Sequence, residues 1–204
     1  MGENWKQAGL LLMRAAGQES NINLPNVLTF VRILLIPVFV LLLMDPTPDR
    51  ALSAALIFVV AAVTDLLDGY VARKTGQITK LGRLMDPIAD KLLVLSALIL
   101  LVQVDRVSAL VAILIIAREV AVTGIRAIAA TEGVIISAET TGKYKMALQV
   151  IALVLLILEG TVVEAIGNLH LAGIVTLYLS LVLGYVSGAQ YVWSFWRQIG
   201  TKGL

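Results

Sequence analysis

The sequence contains no cysteine, one histidine and few charged residues. Without Cys, the chain cannot form a disulfide framework or a thiolate metal site. Asp, Glu, Lys and Arg together make up 15% of its 204 residues, whereas a typical soluble domain contains about 25%. The formal net charge of +2 is too small for a nucleic-acid-binding surface. These shortages exclude a disulfide-rich domain, a nucleic-acid-binding protein and a soluble enzyme with a charged surface.

Apolar residues are abundant instead. Hydrophobic residues account for 59% of the chain, and its mean hydropathy is +0.91. A soluble domain of about this size buries only some 70% of the surface that its unfolded chain exposes, so folding alone would leave too much apolar surface in water. An intrinsically disordered chain would have the opposite composition. The composition therefore predicts an integral membrane protein.

Most of the uncharged stretches are too short to cross a membrane. A spanning helix needs about 20 predominantly apolar residues. Five stretches free of Asp, Glu, Lys and Arg contain 11 to 14 residues, and only the sixth, 165–196, is long, at 32. We therefore predict an all-α bundle of six transmembrane helices, five of which take in charged residues at one end. The five shorter stretches are 33–44, 51–64, 92–104, 107–117 and 146–158.

Basic residues are concentrated at one face of this predicted bundle. The short connections after the first, third and fifth helices contain two of the 16 basic residues, Arg50 and Arg106, which leaves 14 for the rest of the chain. The positive-inside rule places the basic face in the cytoplasm. Both termini and the connections 69–86 and 126–144 are then expected in the cytoplasm.

The chain is predicted to contain one domain with two short flanking segments. Residues 23–197 would form the six-helix transmembrane domain. Residues 1–22 are an N-terminal leader that could form a short amphipathic helix lying on the membrane. Residues 198–204 would be a cytoplasmic tail.

Four aspartates form the most concentrated acidic segment. Asp65 and Asp68 are three residues apart, and Asp86 and Asp90 are four apart, so each pair shares one face of a helix. A carboxylate costs roughly 2.5–3.5 kcal/mol at the centre of a bilayer and less near the interface, so a function is expected of these four. Carboxylate oxygens suit hard divalent cations, and two such ions would balance four negative charges. The alternative is pairing with nearby bases, namely Arg73, Lys74, Lys80, Arg83 and Lys91.

The acidic segment also has a specific spacing, D-x2-D-G-x2-A-R-x8-G-x3-D-x3-D. This pattern resembles the signature of the CDP-alcohol phosphotransferase family at each of its eight fixed positions, and members of that family typically have six transmembrane helices. The resemblance implies that a phosphatidyl group passes from a CDP-linked lipid to an alcohol and that CMP leaves. The eight residues are Asp65, Asp68, Gly69, Ala72, Arg73, Gly82, Asp86 and Asp90.

The resemblance also implies a role for each of these residues. Two Mg²⁺ or Mn²⁺ ions would be held by Asp65, Asp68 and Asp86, with Asp90 facing the same ions. Asp90 would in addition be the base that accepts the proton of the incoming hydroxyl group. The CDP-lipid would be bound by Asn26, Thr29, Asp68, Gly69, Ala72, Arg73 and Gly82.

Three basic residues further along the chain indicate the acceptor. Arg118, Arg126 and Lys143 are expected at one membrane depth, and three cations there need an anion. Arg suits bidentate phosphate binding, so an acceptor with its own phosphate, such as glycerol 3-phosphate, is expected. Two alternatives stay open, because Glu119 could pair with an Arg and the bases could contact lipid headgroups. Three segments resemble the bacterial phosphatidylglycerophosphate synthases of the family: 23–32, 117–126 and 142–145.

The predicted activity is transfer of the phosphatidyl group of CDP-diacylglycerol to sn-glycerol 3-phosphate. A sister enzyme could instead use phosphatidylglycerol, inositol phosphate or serine as the acceptor. A divalent-cation transporter would also place carboxylates in a membrane bundle, but the predicted spanning segments show no acidic path to the outer face. The resemblance further implies a homodimer in a bacterial cytoplasmic membrane, with the active site at the cytoplasmic face and no nucleic-acid partner.

Overall fold

The computed structural model describes residues 24–75, 80–131 and 140–200 of the chain. Within them, side chains are described for 27–65, 88–89, 91–131, 141–165 and 167–198. The predicted leader, 1–22, and residues 201–204 of the predicted tail lie outside the described residues. The described helices are α1 (Leu24–Leu43), α2 (Pro48–Thr75), α3 (Lys80–Gln103), α4 (Ala109–Thr131), α5 (Thr140–Ile157) and α6 (Leu169–Gly200), with a short 3-10 helix at Val162–Ile166.

The all-α prediction is confirmed over the described residues, but the helices are longer than the apolar stretches. α2 contains 28 residues and α3 contains 24, which is about 42 and 36 Å at 1.5 Å per residue. The predicted connections 69–86 and 126–144 are wrong in extent, because most of their residues continue the flanking helices. Ala, Arg, Lys and Leu in these segments favour helix regardless of the surrounding solvent. Hydropathy therefore marked the end of an apolar stretch and not the end of a helix.

One described helix, α6, is long and apolar enough to cross a membrane by itself. Its span Leu169–Gln198 has a mean hydropathy of 1.9, and only 28% of its most apolar window is buried. The core helix of a soluble protein would be mostly buried, so this exposed apolar surface fits a lipid environment. Val27–Leu43 and Lys91–Gln103 are shorter apolar helical segments.

The bundle core lies where all six helices meet away from the charged segments. Phe39 of α1 and Phe58 of α2 are fully buried, with ring centroids 5.8 Å apart. Small side chains such as Ala54 and Ala97 are also fully buried and let neighbouring helices approach closely. α5 and α6 pack together most extensively, and α4 contacts α6 along the same side of the bundle.

Gly173 of α6 lies close to the side chain and backbone of Leu156 on α5. A Cβ atom at this position would lie 2.7 Å from Cγ of Leu156 and 3.3 Å from its backbone nitrogen, and Leu156 is fully buried. We expect Gly173→Ala to lower the free energy of unfolding by about 1–3 kcal/mol, because a packed core cannot relax around added volume. Thermal unfolding in detergent measures this. Gly124→Ala is the matched control, since nothing lies within 4 Å of its Cβ position; equal melting temperatures for the two variants would contradict the packing.

A second charged cluster, formed by Arg106, Glu159 and His170, lies at the end of the bundle opposite to the acidic segment. Arg106, which follows α3, donates to the carbonyl oxygens of Leu156 and Ile157 at 3.0 and 3.1 Å. Glu159 lies 3.7 Å from Arg106 and 3.0 Å from Nδ1 of His170. Cations favour the carboxyl end of a helix, where carbonyl groups lack intrahelical partners. This cluster therefore ties the end of α5 to the α3–α4 connection.

Candidate functional site

The four aspartates lie on two consecutive helices that contact each other. Asp65 and Asp68 belong to α2, Asp86 and Asp90 belong to α3, and the two helices are in contact. Of the four, only the side chain of Asp65 is among the described ones. No three His, Asp or Glu side chains form a metal-binding group within the described part of the chain. The metal site thus stays a prediction, with a donor set of carboxylate oxygens on adjacent helices that suits Mg²⁺ or Mn²⁺.

Asp65 forms an ion pair that the sequence pattern did not predict. Nη1 of Arg32, on α1, lies 2.7 Å from Oδ1 of Asp65. The Arg32 side chain is fully buried and that of Asp65 is 20% exposed. A buried guanidinium group needs a negative partner close by. The sequence contained one signal for this pair, a single base inside the otherwise apolar α1. The bases predicted as alternative partners of the aspartates lie elsewhere in the chain, at Arg73, Lys74, Lys80, Arg83 and Lys91.

Most of the predicted CDP-lipid residues lie outside the described side chains. This holds for Asn26, Asp68, Gly69, Ala72, Arg73 and Gly82, although all six belong to α1, α2 or α3. Thr29 is described and is 1% exposed on the buried side of α1, one turn before Arg32. It therefore lies on the same face of α1 as the base that contacts Asp65.

The basic residues predicted for the acceptor line one cavity. The cavity has a volume of about 750 Å³ and lies between α3, α4, α5 and α6. Arg118 and Arg126 of α4 and Lys143 of α5 all line it. Lys91 and Lys145 add two further bases, and Glu119 is the only acid among the described lining residues. We call this the basic cavity; its deeper wall is apolar and includes Val94, Leu95, Leu98, Ile115, Val122 and Val150.

Arg118 is held firmly between α4 and α6. Its Nε donates to the carbonyl oxygen of Gly184 at 2.8 Å, and its Nη2 donates to Oγ of Ser187 at 2.7 Å. Nη1 donates to Oε1 of Glu119 at 2.9 Å. A Cβ atom at Gly184 or Gly188 would lie 3.6 Å from Nε of Arg118, so these glycines bring the α6 backbone close to the guanidinium group.

Glu119 also contacts the ammonium group of Lys145. Oε1 of Glu119 accepts from Nη1 of Arg118 and from Nζ of Lys145. Lys145 is 8% exposed, and its neighbour one turn along α5, Gln149, is 4% exposed. The pairing of Glu119 with an Arg, one of the two alternatives for these bases, is therefore present, and it extends to a second base.

The other two residues predicted to bind the acceptor, Arg126 and Lys143, have different surroundings. Arg126 lies over the ring of Tyr191, with Cζ 5.3 Å from the ring centroid, in a cation–π contact. Lys143 is exposed at the start of α5. Tyr191 and Ser187 belong to α6, a helix for which no motif was recognised. Only the packing of α6 against α4 identifies them.

The basic cavity borders the acidic segment through α3. Lys91 follows Asp90 directly, lines the cavity, and donates to Oγ1 of Thr123 on α4 at 2.5 Å. Asp90 and Lys91 are consecutive positions in one turn of α3. The turn of α3 that contains the predicted base thus lies at the edge of the basic cavity.

Comparison with known proteins found similar sequences over most of the chain. The family model described as CDP-alcohol phosphatidyltransferase matches residues 22–186. A CDP-diacylglycerol–glycerol-3-phosphate 3-phosphatidyltransferase of Bacillus subtilis is 38% identical over 192 residues, covering 88% of this chain and 98% of the relative. An enzyme of the same name from Rickettsia bellii is 40% identical over 169 residues, with 83% and 93% covered. Another, from Wigglesworthia glossinidia brevipalpis, is 31% identical over 182 residues, with 87% and 97% covered.

Proposed function

Because this chain belongs to the CDP-alcohol phosphatidyltransferase family, we propose that it transfers the phosphatidyl group of CDP-diacylglycerol to sn-glycerol 3-phosphate. The products are phosphatidylglycerol phosphate and CMP. The observation that carries the choice of a phosphate-bearing acceptor is the basic cavity, which Arg118, Arg126 and Lys143 line beside the turn of α3 that contains Asp90. The relatives that bear the name of this activity cover most of the chain.

The chemistry assigns separate tasks to the acidic and basic groups. The primary hydroxyl oxygen of the acceptor attacks the phosphorus atom bound to diacylglycerol, and the bond from that phosphorus to the CMP oxygen breaks. Asp90 accepts the hydroxyl proton as general base. The bases of the cavity hold the acceptor's own phosphate, which is unchanged by the reaction, and so orient the hydroxyl group.

The aspartates would also hold two divalent ions, Mg²⁺ or Mn²⁺, as cofactors. Asp65, Asp68 and Asp86 would be the principal ligands, with Asp90 beside them. When bound, such ions neutralise the diphosphate and polarise the attacked phosphorus. Arg32 fixes the orientation of Asp65 in this arrangement. The CDP group would lie along Thr29 on α1 and Gly69, Ala72, Arg73 and Gly82 on α2 and α3.

The placement in the membrane follows from the same chemistry. We propose that α1 to α6 all span a bacterial cytoplasmic membrane, with both termini and the active site at the cytoplasmic face. The 23–197 segment would be the catalytic domain. A water-soluble acceptor and a lipid donor can both reach such an interface. The six helices of 18 to 32 residues correspond to about 27–48 Å, against a hydrocarbon core of about 30 Å. The homodimer implied by the family resemblance stays a prediction.

An assay of CMP release tests the proposed function directly. The purified protein is incubated with CDP-diacylglycerol, Mg²⁺ and one acceptor at a time. We expect glycerol 3-phosphate to stimulate CMP release and chelation of divalent ions to stop it. Stimulation by serine or inositol phosphate, but not by glycerol 3-phosphate, would contradict the acceptor assignment. No CMP release with any acceptor, from a folded protein, would contradict the reaction.

Lys143 provides the clearest single test of the acceptor site, because its side chain is exposed and its loss should not disturb folding. We expect Lys143→Ala to raise the KM for glycerol 3-phosphate about tenfold or more, the effect of losing one charge-assisted hydrogen bond, while kcat changes little. Lys143→Arg keeps the charge and should retain most of the affinity. An unchanged KM in the alanine variant would remove Lys143 from the phosphate site.

A further inference from the structure

Arg118, Glu119 and Lys145 form a charged cluster in one wall of the basic cavity. We infer that Glu119 is a positioning residue for the acceptor: it holds Lys145 in the cavity wall, where that lysine is a further cation facing a phosphate-bearing acceptor. This inference rests on the proposed function, and it concerns two residues that the sequence pattern did not place in the site. Glu119 itself would not touch the acceptor, because a carboxylate repels a phosphate.

Arg118 is the residue of the cluster that is hydrogen-bonded to α6. Its hydrogen bonds to the carbonyl oxygen of Gly184 and to Oγ of Ser187 attach the guanidinium group to α6. Its third described hydrogen bond fixes the carboxylate of Glu119. Arg118 is therefore held by protein groups on three sides, which fixes its charge in the cavity wall together with the carboxylate of Glu119.

Lys145 is the residue that Glu119 would position. Its side chain is 10% exposed, and a buried ammonium group is costly unless an anion lies beside it. Both it and Arg118 contact the same oxygen of Glu119. The carboxylate of Glu119 thus connects Lys145 of α5 to Arg118 of α4, which is itself bonded to α6.

The charge balance of the cluster favours a role in anion binding over a purely packing role. Its three residues contribute one negative and two positive charges. Lys91, Arg126 and Lys143 line the same cavity, so the described lining residues carry five positive charges and one negative charge. Buried charges that serve packing alone are expected to be balanced by one another. The excess of cations among the described lining residues suits a phosphate dianion.

Glu119→Gln removes the charge while keeping the size of the side chain and its ability to accept a hydrogen bond from Arg118. We expect the KM for glycerol 3-phosphate to rise about tenfold or more, since Lys145 loses the negative charge that holds its ammonium group in the cavity wall. The kcat should change less than about threefold, and the KM for CDP-diacylglycerol should stay the same. Protection of the protein by glycerol 3-phosphate against thermal unfolding should weaken in parallel.

The matched control is Glu159→Gln, which removes a carboxylate from the ion pair with Arg106 at the opposite end of the bundle. It should leave both KM values unchanged. Two further variants keep the test decisive if Glu119→Gln fails to fold. Glu119→Asp keeps the charge on a shorter side chain and should give an intermediate KM. Ser187→Ala loosens Arg118 but leaves Glu119 in place, and should raise the KM for the acceptor by a smaller factor.

The outcomes separate this inference from the proposed function. If the wild-type protein does not use glycerol 3-phosphate, the proposed function fails. If the wild type is active but Glu119→Gln leaves the acceptor KM unchanged, the positioning role is wrong. A lower KM would also overturn it, because Glu119 would then compete with the phosphate for Lys145. If Glu119→Gln lowers kcat and impairs the use of both substrates to the same extent, Glu119 has a general structural role instead.

Discussion

Asp90→Asn is expected to abolish turnover while leaving CDP-lipid binding largely intact. An amide cannot accept the hydroxyl proton of the acceptor, and loss of a general base typically lowers the rate by about 10²–10⁴. The other three aspartates of α2 and α3 remain to hold the divalent ions. CMP release measures the rate, and stabilisation of the protein by CDP-diacylglycerol against thermal unfolding measures donor binding.

Asp105→Asn is the matched control for this substitution. Asp105 lies in the connection after α3, at the end of the helix opposite to the acidic segment. Its φ of 58° lies in the left-handed region, which Asn adopts about as readily as Asp, so folding should be unaffected. Full activity in Asp90→Asn would disprove the base assignment, and loss of activity in both variants would point to a general effect of removing negative charge.

Arg32→Met is expected to lower both stability and activity strongly. Arg32 is fully buried, and Nη1 lies 2.7 Å from Oδ1 of Asp65. Met fills a similar volume without charge, so the variant removes the positive member of the ion pair with Asp65. Breaking a buried ion pair by removing one partner costs roughly 3–5 kcal/mol. Thermal unfolding of the purified protein in detergent, before any divalent ion is added, should show a clearly lower melting temperature.

The double variant Arg32→Met/Asp65→Asn separates the stability effect from the catalytic one. Removing both charges should recover much of the lost stability, because neither member of this pair is then left charged without the other. Activity should stay low, since Asp65 is a proposed ligand of the divalent ions. Arg50→Met is the control, because the pair of Arg50 with Asp45 is exposed and such pairs contribute within about 1 kcal/mol. A melting temperature for Arg32→Met equal to that of the control would contradict the buried pair.

The family and its chemistry could be inferred from the sequence because they depend on local spacing. The eight positions from Asp65 to Asp90 and the later segments 117–126 and 142–145 pointed to the family that the comparisons established. The helical class followed as well, since long apolar stretches in a bilayer must satisfy their backbone hydrogen bonds within the segment. Helix ends were less accurate, because hydropathy reports the solvent around a residue and not the hydrogen bonding of its backbone.

The partners of the charged groups could not be inferred in the same way. The residues that contact Arg118, namely Gly184 and Ser187, are 66 and 69 positions away along the chain, and the partner of Asp65 lies on α1. The sequence around Glu119 does not indicate whether its carboxylate contacts one basic side chain or two. Such contacts depend on which helix faces are turned towards each other, and this is settled by packing across the whole bundle.

The sequence by itself thus determined which charges the chain carries and at what spacing along its helices, since these are properties of short segments. A shortage of charged residues made each one informative. Only the tertiary structure decided how the charges are paired: Arg32 with Asp65, and Arg118 and Lys145 with one oxygen of Glu119. The physical reason is that a buried charge is stabilised by groups within a few ångströms in space, and those groups come from helices far apart in the chain.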